Sequence, residues 1–238
     1  MPTRNIIEVS NLSKTYRKGS AGEVKAVDEV CLEVPEGQFL TILGPSGSGK
    51  TTLLNLIGGL DKPSGGKVIL DGLELSKLSE GELVRVRREK VGFVFQAFNL
   101  IPTFSALENV EVALAPTDMS KNERFERSIE LLESVGLGQR AHHLPVELSA
   151  GEQQRVAIVR AFANKPRILL LDEPTGNLDT KTGREILRIC HEANKEQGQT
   201  VVAVTHAGYV RGYTNRLLFM RDGKLFSQIP QEEFEEPV

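Results

Sequence analysis

Gly44-Pro45-Ser46-Gly47-Ser48-Gly49-Lys50-Thr51 decides how this chain is read. It fits G-x-x-x-x-G-K-[ST], and random placement at this composition gives such a match in roughly one chain in a hundred. Glycine lets a backbone curl tightly enough to turn its N–H groups inward on phosphate oxygens. The preceding Phe39 to Leu43 is an apolar run of strand length, and Lys50 to Ile57 has a helical pattern. A loop between strand and helix adds the positive end of the helix dipole to an anion site. Lys50 is placed to reach the β- and γ-phosphates of a nucleotide, and Thr51 to set its hydroxyl on Mg²⁺. Residues Gly44 through Thr52 are therefore the candidate nucleotide-binding segment.

A second apolar run, Arg167 to Leu171, is closed by Asp172-Glu173-Pro174. In an open parallel sheet, ligands bind beyond the carboxyl ends of the strands. Asp172 is thus placed to hold Mg²⁺ through its water shell, and Glu173 to polarise a water aimed at the γ-phosphate. Hydrolysis needs that in-line water and charge neutralisation rather than covalent chemistry. His206 ends the run Thr200 to Thr205, which puts it at a neighbouring strand end. His142, His143 and His191 have no such position.

Working outward, short apolar runs alternate with amphipathic stretches, the pattern of an α/β protein with a mostly parallel sheet. The N-terminal part differs. Ile6 to Val9 and Val24 to Val34 alternate partially, with Gly19 and Gly22 in the loop between them, which predicts an antiparallel β subdomain. Lys67 to Leu70 reads as a strand closed by Asp71-Gly72. A helix follows Ser79, with Glu82 in the capping-box position, and Val91 to Phe95 is a strand. Residues 97–163 carry three helical patterns, about 105–114, 120–135 and 150–163, with Ser120 as a cap and Gly136 and Gly138 as stops. They read as a helical subdomain inserted into an α/β core of residues 1–96 and 164–238, the whole forming one domain. Thr180 to Glu196 is a helix. Arg216 to Met220 and Lys224 to Gln228 form a hairpin through Asp222-Gly223, and the acidic tail IPQEEFEEPV is expected to fray.

The chain has 238 residues, a net charge of −3 and 39% hydrophobic residues. That balance supports a sizeable core and argues against a protein that coats nucleic acid. No apolar run approaches the roughly 18 residues of a membrane span, and the N-terminus has no secretory signal. Cys31 and Cys190 read as reduced packing cysteines of a cytosolic protein.

Leu148-Ser149-Ala150-Gly151-Glu152-Gln153-Gln154-Arg155 precedes the carboxylate strand. Together with the phosphate loop and Asp172-Glu173, it resembles the signature of ATP-binding-cassette (ABC) ATPases, usually LSGGQ, and the resemblance covers essentially the whole chain. It implies a P-loop NTPase core and an ATPase that uses ATP and Mg²⁺. It also implies a homodimer in which Ser149 and Gly151 bind the γ-phosphate held by the other subunit's loop. Tyr16, in Leu12-Ser13-Lys14-Thr15-Tyr16, matches the aromatic that stacks on adenine. Gln96 matches the Q-loop glutamine, which senses Mg²⁺ and couples to a partner. Gly176 to Asp179 matches the D-loop that crosses to the other subunit, and His206 the switch histidine. Ala150, Glu152 and Ala207 depart from the usual residues. The stretches GPSGSGKTTLLNLIGGLDKPSGG, VGFVFQAFNLIPTFSALENV and LLLDEPTGNLD resemble a subgroup of lipoprotein-releasing, macrolide-exporting and cell-division ATPases.

The resemblance implies an ATPase subunit on the cytoplasmic face of the cell membrane, peripheral and driving a separate integral membrane permease. Phe98, Leu100, Ile101 and Phe104, crowded after Gln96 around Pro102, are the expected permease dock. The alternative is a soluble ATPase of the same class acting on nucleic acid or ribosomes. Residues 97–147 are too few for the long coiled coil of chromosome-organising relatives, so no nucleic acid is expected. A GTPase would need an Asn-Lys-x-Asp base reader, and the nearest string, Asn164-Lys165-Pro166-Arg167, lacks the aspartate.

Overall fold

The structure is a computed structural model that describes residues 4–17 and 22–227. Gly19, Gln228 and the acidic tail lie outside the described residues. In chain order the elements are β1 (Asn5–Arg17), β2 (Glu23–Pro35), β3 (Phe39–Leu43), α1 (Lys50–Ile57), β4 (Gly65–Leu70), β5 (Leu73–Glu74), α2 (Glu80–Lys90) and β6 (Val91–Val94). Then follow α3 (Ala106–Leu114), α4 (Lys121–Ser134), α5 (Ala150–Phe162), β7 (Ile168–Asp172), α6 (Thr180–Gln197), β8 (Thr200–Thr205), β9 (Arg216–Arg221) and β10 (Lys224–Phe226).

β3, β7 and β8 are buried along their whole length. Continuous apolar runs suit strands that are covered on both faces, and successive side chains enter opposite cores. Leu40, Ile42, Ile168, Leu170, Val202 and Val204 join one core. Phe39, Leu169, Leu171, Val201 and Ala203 join the other. These strands lie in a six-stranded sheet ordered β10-β9-β3-β8-β7-β6, parallel except for β10 at its edge. The register sets Leu43 beside Thr205, and Leu171 beside Ala203. The loop after β3, the carboxylates at the end of β7 and His206 after β8 therefore emerge together at the carboxyl ends of these interior strands.

A second, antiparallel sheet has the order β2-β1-β4-β5. β1 runs on to Arg17, well past the expected Val9, although Asn11 to Arg17 is mostly polar. Pairing with β2 and β4, through several register shifts, holds it extended. α1 lies between the sheets, with Leu53, Leu54, Leu56 and Ile57 in the same core as Ile7, Leu12 and Val68 of the antiparallel sheet. α3, α4 and α5 pack on the opposite core. Four helices start on capping boxes, Ser79/Glu82, Ser105/Glu108, Ser120/Glu123 and Ser149/Glu152. A 3-10 turn at Gly208–Gly212 had no sequence pattern to announce it. Cys190 is a packing thiol, pushed up to about 12 by burial. Cys31 is not: it is exposed, and its thiol donates to Asn11 Oδ1.

Asp71, at the end of β4, ties distant segments together. Its buried carboxylate accepts from Arg4, from Lys90 at the end of α2 and from Arg167 just before β7. Burial alone would raise its pKa, but the Lys90 hydrogen bond and the charges of Lys90, Arg167 and Arg4 outweigh that and lower it. A lowered folded-state pKa gives stability that is present above the ordinary carboxylate range and lost as pH falls through the folded value. Asp71→Asn is expected to cost about 2 kcal/mol at neutral pH in urea unfolding, less than for a fully buried pair because the cations are partly solvated. It should also flatten the loss of stability below about pH 4; an unchanged acid slope would show that Asp71 is not the group that titrates.

Candidate active site

The loop from Gly44 to Gly49 fits where it does because two positions have no side chain. A Cβ at Gly44 would lie 2.1 Å from the Met220 carbonyl oxygen, and one at Gly49 would lie 2.0 Å from that of Ala26. Gly47 and Gly49 also have positive φ, 79° and 105°, which side chains disfavour. The loop is thus wedged between β9 and β2. The β9–β10 turn closes the wedge: Gly223 N–H donates to Ser48 O, and Asp28 N–H donates to Gly223 O.

Lys50, the first residue of α1, is buried. Its ammonium donates to Gly44 O at 2.7 Å and Pro45 O at 2.9 Å, and lies 3.8 Å from Glu173 Oε1. Burial lowers its pKa, against the opposing charges of Glu173 and Asp172. Thr51 Oγ1 donates to Asp172 Oδ1 at 2.9 Å. Burial also raises the Asp172 pKa, against the Thr51 bond. Glu173 sits at φ 45°, and its carboxylate meets His206 twice. Nδ1 lies 3.1 Å from Oε1, and the His206 N–H donates to Oε2 at 3.3 Å. Asn177 Nδ2 donates to Gln96 O at 2.8 Å, joining the segment after β6 to the one after β7.

These residues enclose a cleft of about 290 Å³, lined by Ser46 to Thr52, Gln96, Glu173 and His206, with Ala26 at its side. The donor set fits a polyphosphate and its cation. The loop can curl against β9 and β2 only with glycine at positions 44 and 49, the lysine supplies a fixed positive charge, and Thr51 with Asp172 offers hard oxygen ligands suited to Mg²⁺.

Seven sequence-predicted residues are not part of this lining: Gly44, Pro45 and Asp172, which bond to its Lys50 or Thr51, and Tyr16, Ser149, Gly151 and Asp179, which lie away from it. Tyr16 is exposed to 40%, and its hydroxyl donates to Asp61 Oδ2 at 2.7 Å. Ser149 is the exposed N-cap of α5, and its hydroxyl donates to Glu152 Oε2 at 2.8 Å. Gly151 faces α6, where a Cβ would lie 2.6 Å from Thr182 Cγ2. Asp179 caps α6, accepting from the N–H groups of Lys181 and Thr182.

Two residues escaped the sequence reading. Asn109, fully buried in α3, accepts from Ile101 N–H and donates to the carbonyls of Ile101, Phe104 and Ser105. Arg160 of α5 donates to the carbonyls of Phe98 and Asn99, at 2.8 and 2.6 Å. Those two residues have φ of 59° and 49°, so the segment after Gln96 is held in a conformation disfavoured for side-chain-bearing residues. Of the expected dock, Phe98, Leu100, Ile101 and Phe104 are all half-buried rather than open, and Leu100 packs on the α3–α5 core.

The family model described as ABC transporter matches residues 27–176. The chain belongs to the ABC transporter family. As an ABC protein it is an ATPase, with ATP as nucleotide and Mg²⁺ as metal. Among curated relatives it is 48% identical to the ABC transporter ATP-binding protein MJ0796 of Methanocaldococcus jannaschii, over 92% of this chain and 95% of that one. It is 47% identical to an ABC transporter ATP-binding protein of Thermotoga maritima, over 93% and 94%. A solved dimeric structure of the MJ0796 cassette, in a post-hydrolysis state bound to ADP and Pi, matches with a TM-score of 0.87 at 46% identity, covering 92% of this chain and 96% of that one. Among the described residues no helix is long and apolar enough to cross a membrane.

Proposed function

We propose that this chain is the ATP-hydrolysing subunit of a membrane ABC complex, working as a homodimer with two composite sites and driving a separate permease. One observation carries the reading. The cleft gathers Lys50, Gln96, Glu173 and His206, yet the family signature at Ser149 and Gly151 lies outside it, at an exposed helix start of the same chain. The site of one chain is therefore half of a working site. The second half comes from a symmetric partner, whose signature helix offers its N-terminus to the γ-phosphate. The dimeric state of the MJ0796 structures supports this.

The chemistry follows from the residues. The loop N–H groups and Lys50 take the β- and γ-phosphates of ATP, and Lys50 exchanges its bonds to Gly44 O and Pro45 O for phosphate oxygens. Thr51, Asp172 and Gln96 would hold Mg²⁺, which would supply positive charge to offset that of the phosphates. Glu173 draws a proton from the attacking water, and His206 fixes the orientation of that carboxylate. Ser149 turns its hydroxyl from Glu152 to the partner's γ-phosphate. Tyr16 stacks on adenine at the cleft edge, near Thr52. Asp179 sits in the segment that crosses to the partner. The chain acts as one cassette, peripheral on the cytoplasmic face of the membrane. The helical subdomain, residues 97–163, meets the core at Gln96.

The permease docks on the apolar loop that begins beyond Gln96. Arg160 and Asn109 hold that loop in shape, so a shift of Gln96 toward γ-phosphate is passed to the dock. Phe104 is a cleaner probe than Leu100, which also packs on the core.

Two outcomes are expected. Glu173→Gln should bind ATP, slow hydrolysis by at least about 10², and accumulate an ATP-bound dimer in light scattering; a variant that remains monomeric at high ATP and protein concentration would speak against the composite site. Phe104→Asp should keep ATPase activity of the isolated subunit within about threefold, since the loop does not touch the phosphates. Its copurification with the permease should fall at least about tenfold. Intact assembly would reject this loop as the dock.

A further inference from the structure

The Tyr16 ring does not hang free at the cleft edge. Its hydroxyl donates to Asp61 Oδ2 at 2.7 Å. The other oxygen of that carboxylate accepts from Lys14 Nζ at 2.6 Å and from the Lys62 N–H at 2.7 Å. Lys14 also donates to Lys62 O at 2.6 Å, and its ammonium lies over the Tyr16 ring, 5.0 Å from the centroid. Lys14 and Tyr16 are both in β1, on the part of the strand beyond Val9 that pairs with β2 through register shifts. Asp61 stands on the loop that follows α1, the helix which carries Lys50 and Thr51.

We propose that Asp61 and Lys14 are positioning residues that clamp Tyr16 as a nucleobase platform, fixing the ring's tilt and leaving one face for the base. It rests on the assignment of Tyr16 to adenine made above. The geometry supplies three restraints on one ring. The bond to Asp61 fixes the far end of the ring. The Lys14 ammonium covers one face by a cation–π contact, so a base stacks on the other. The Asp61 backbone is continuous with the phosphate helix, so the platform keeps a set distance from the phosphate loop. A stacking surface that is already ordered loses less rotamer freedom when a flat base arrives. Stacking does not read the base edges, so the clamp supplies affinity for the base without choosing between purines.

The test compares MgATP with magnesium tripolyphosphate, which has the phosphates and no base, by equilibrium titration. Tyr16→Ala is expected to weaken MgATP at least about tenfold, the loss of one stacked base. Asp61→Ala is expected to weaken it about fivefold, the scale of one hydrogen bond, with KM raised by a like factor and kcat within about twofold. Tripolyphosphate should bind both variants within about twofold of the unaltered chain. Tyr16→Phe added to Asp61→Ala should cost nothing further, because the bond is already gone. A spectroscopic readout is independent of nucleotide. Burial and then the Asp61 carboxylate hold the Tyr16 phenol above its ordinary pKa. Its ultraviolet ionisation midpoint, isolated by difference against Tyr16→Phe in a chain with three tyrosines and no tryptophan, should drop in Asp61→Asn. If Asp61→Ala binds MgATP normally while Tyr16→Ala does not, the clamp is overturned and the nucleobase assignment stands. If Tyr16→Ala also binds normally, that assignment falls and the clamp with it. If Asp61→Ala weakens tripolyphosphate as much as MgATP, Asp61 supports the phosphate loop rather than the ring, and the proposal is rejected.

Discussion

The phosphate loop can be where it is only because its backbone touches two other backbones. Gly44 lies against Met220 of β9, and Gly49 against Ala26 of β2, each closer than a Cβ permits. One contact belongs to the parallel sheet and the other to the antiparallel sheet. The loop is therefore the junction of the two sheets as well as the bed for the phosphates. α1, which opens from the loop, fills the space between the same sheets with four buried apolar side chains. Sheet packing and loop shape are thus one constraint.

The charges around that cradle are arranged against their own solvation. Lys50 and Asp172 are buried, and burial disfavours the charged form of each. Glu173 is held by His206 and faces the lysine. Such a cluster favours a ligand that brings negative oxygens to the lysine and a cation to the carboxylates, because each group then regains what burial took. A nucleoside triphosphate with its cation supplies both. The helix start at Ser149 and Gly151 lies outside this cluster. Gly151 packs on Thr182, at the helix start that Asp179 caps. The start of α5 and the Asp179 cap of α6 are thus held as one surface.

Much of this was legible in the sequence because it is local. The apolar runs of β3, β7 and β8, the Ser-x-x-Glu boxes and the glycines of the loop each follow from residue type and spacing. The residues of the cleft were legible because the motif has one chemical use. β1 beyond Val9 was not legible: its polar residues are extended by pairing with β2 and β4, and pairing is invisible in one strand. Asn109 and Arg160 were missed for the same reason, since their bonds run to carbonyls that carry no side-chain label. The exposure expected for residues 98–104 was overestimated. The loop is short and tethered by Asn109 and Arg160, so its apolar side chains lean partly onto the helical core.

The central claim is that each working site takes its phosphate loop from one chain and its signature from another. Mixing two inactive variants tests it most directly. Lys50→Ala disables the loop, and Ser149→Arg fills the space of the partner's γ-phosphate. In a mixed dimer one composite site carries both lesions and the other carries neither. ATPase activity of the equimolar mixture is predicted to recover to about a quarter of the unaltered rate, since half the dimers are mixed and each has one of two sites intact. A mixture as inactive as either variant alone would contradict the account.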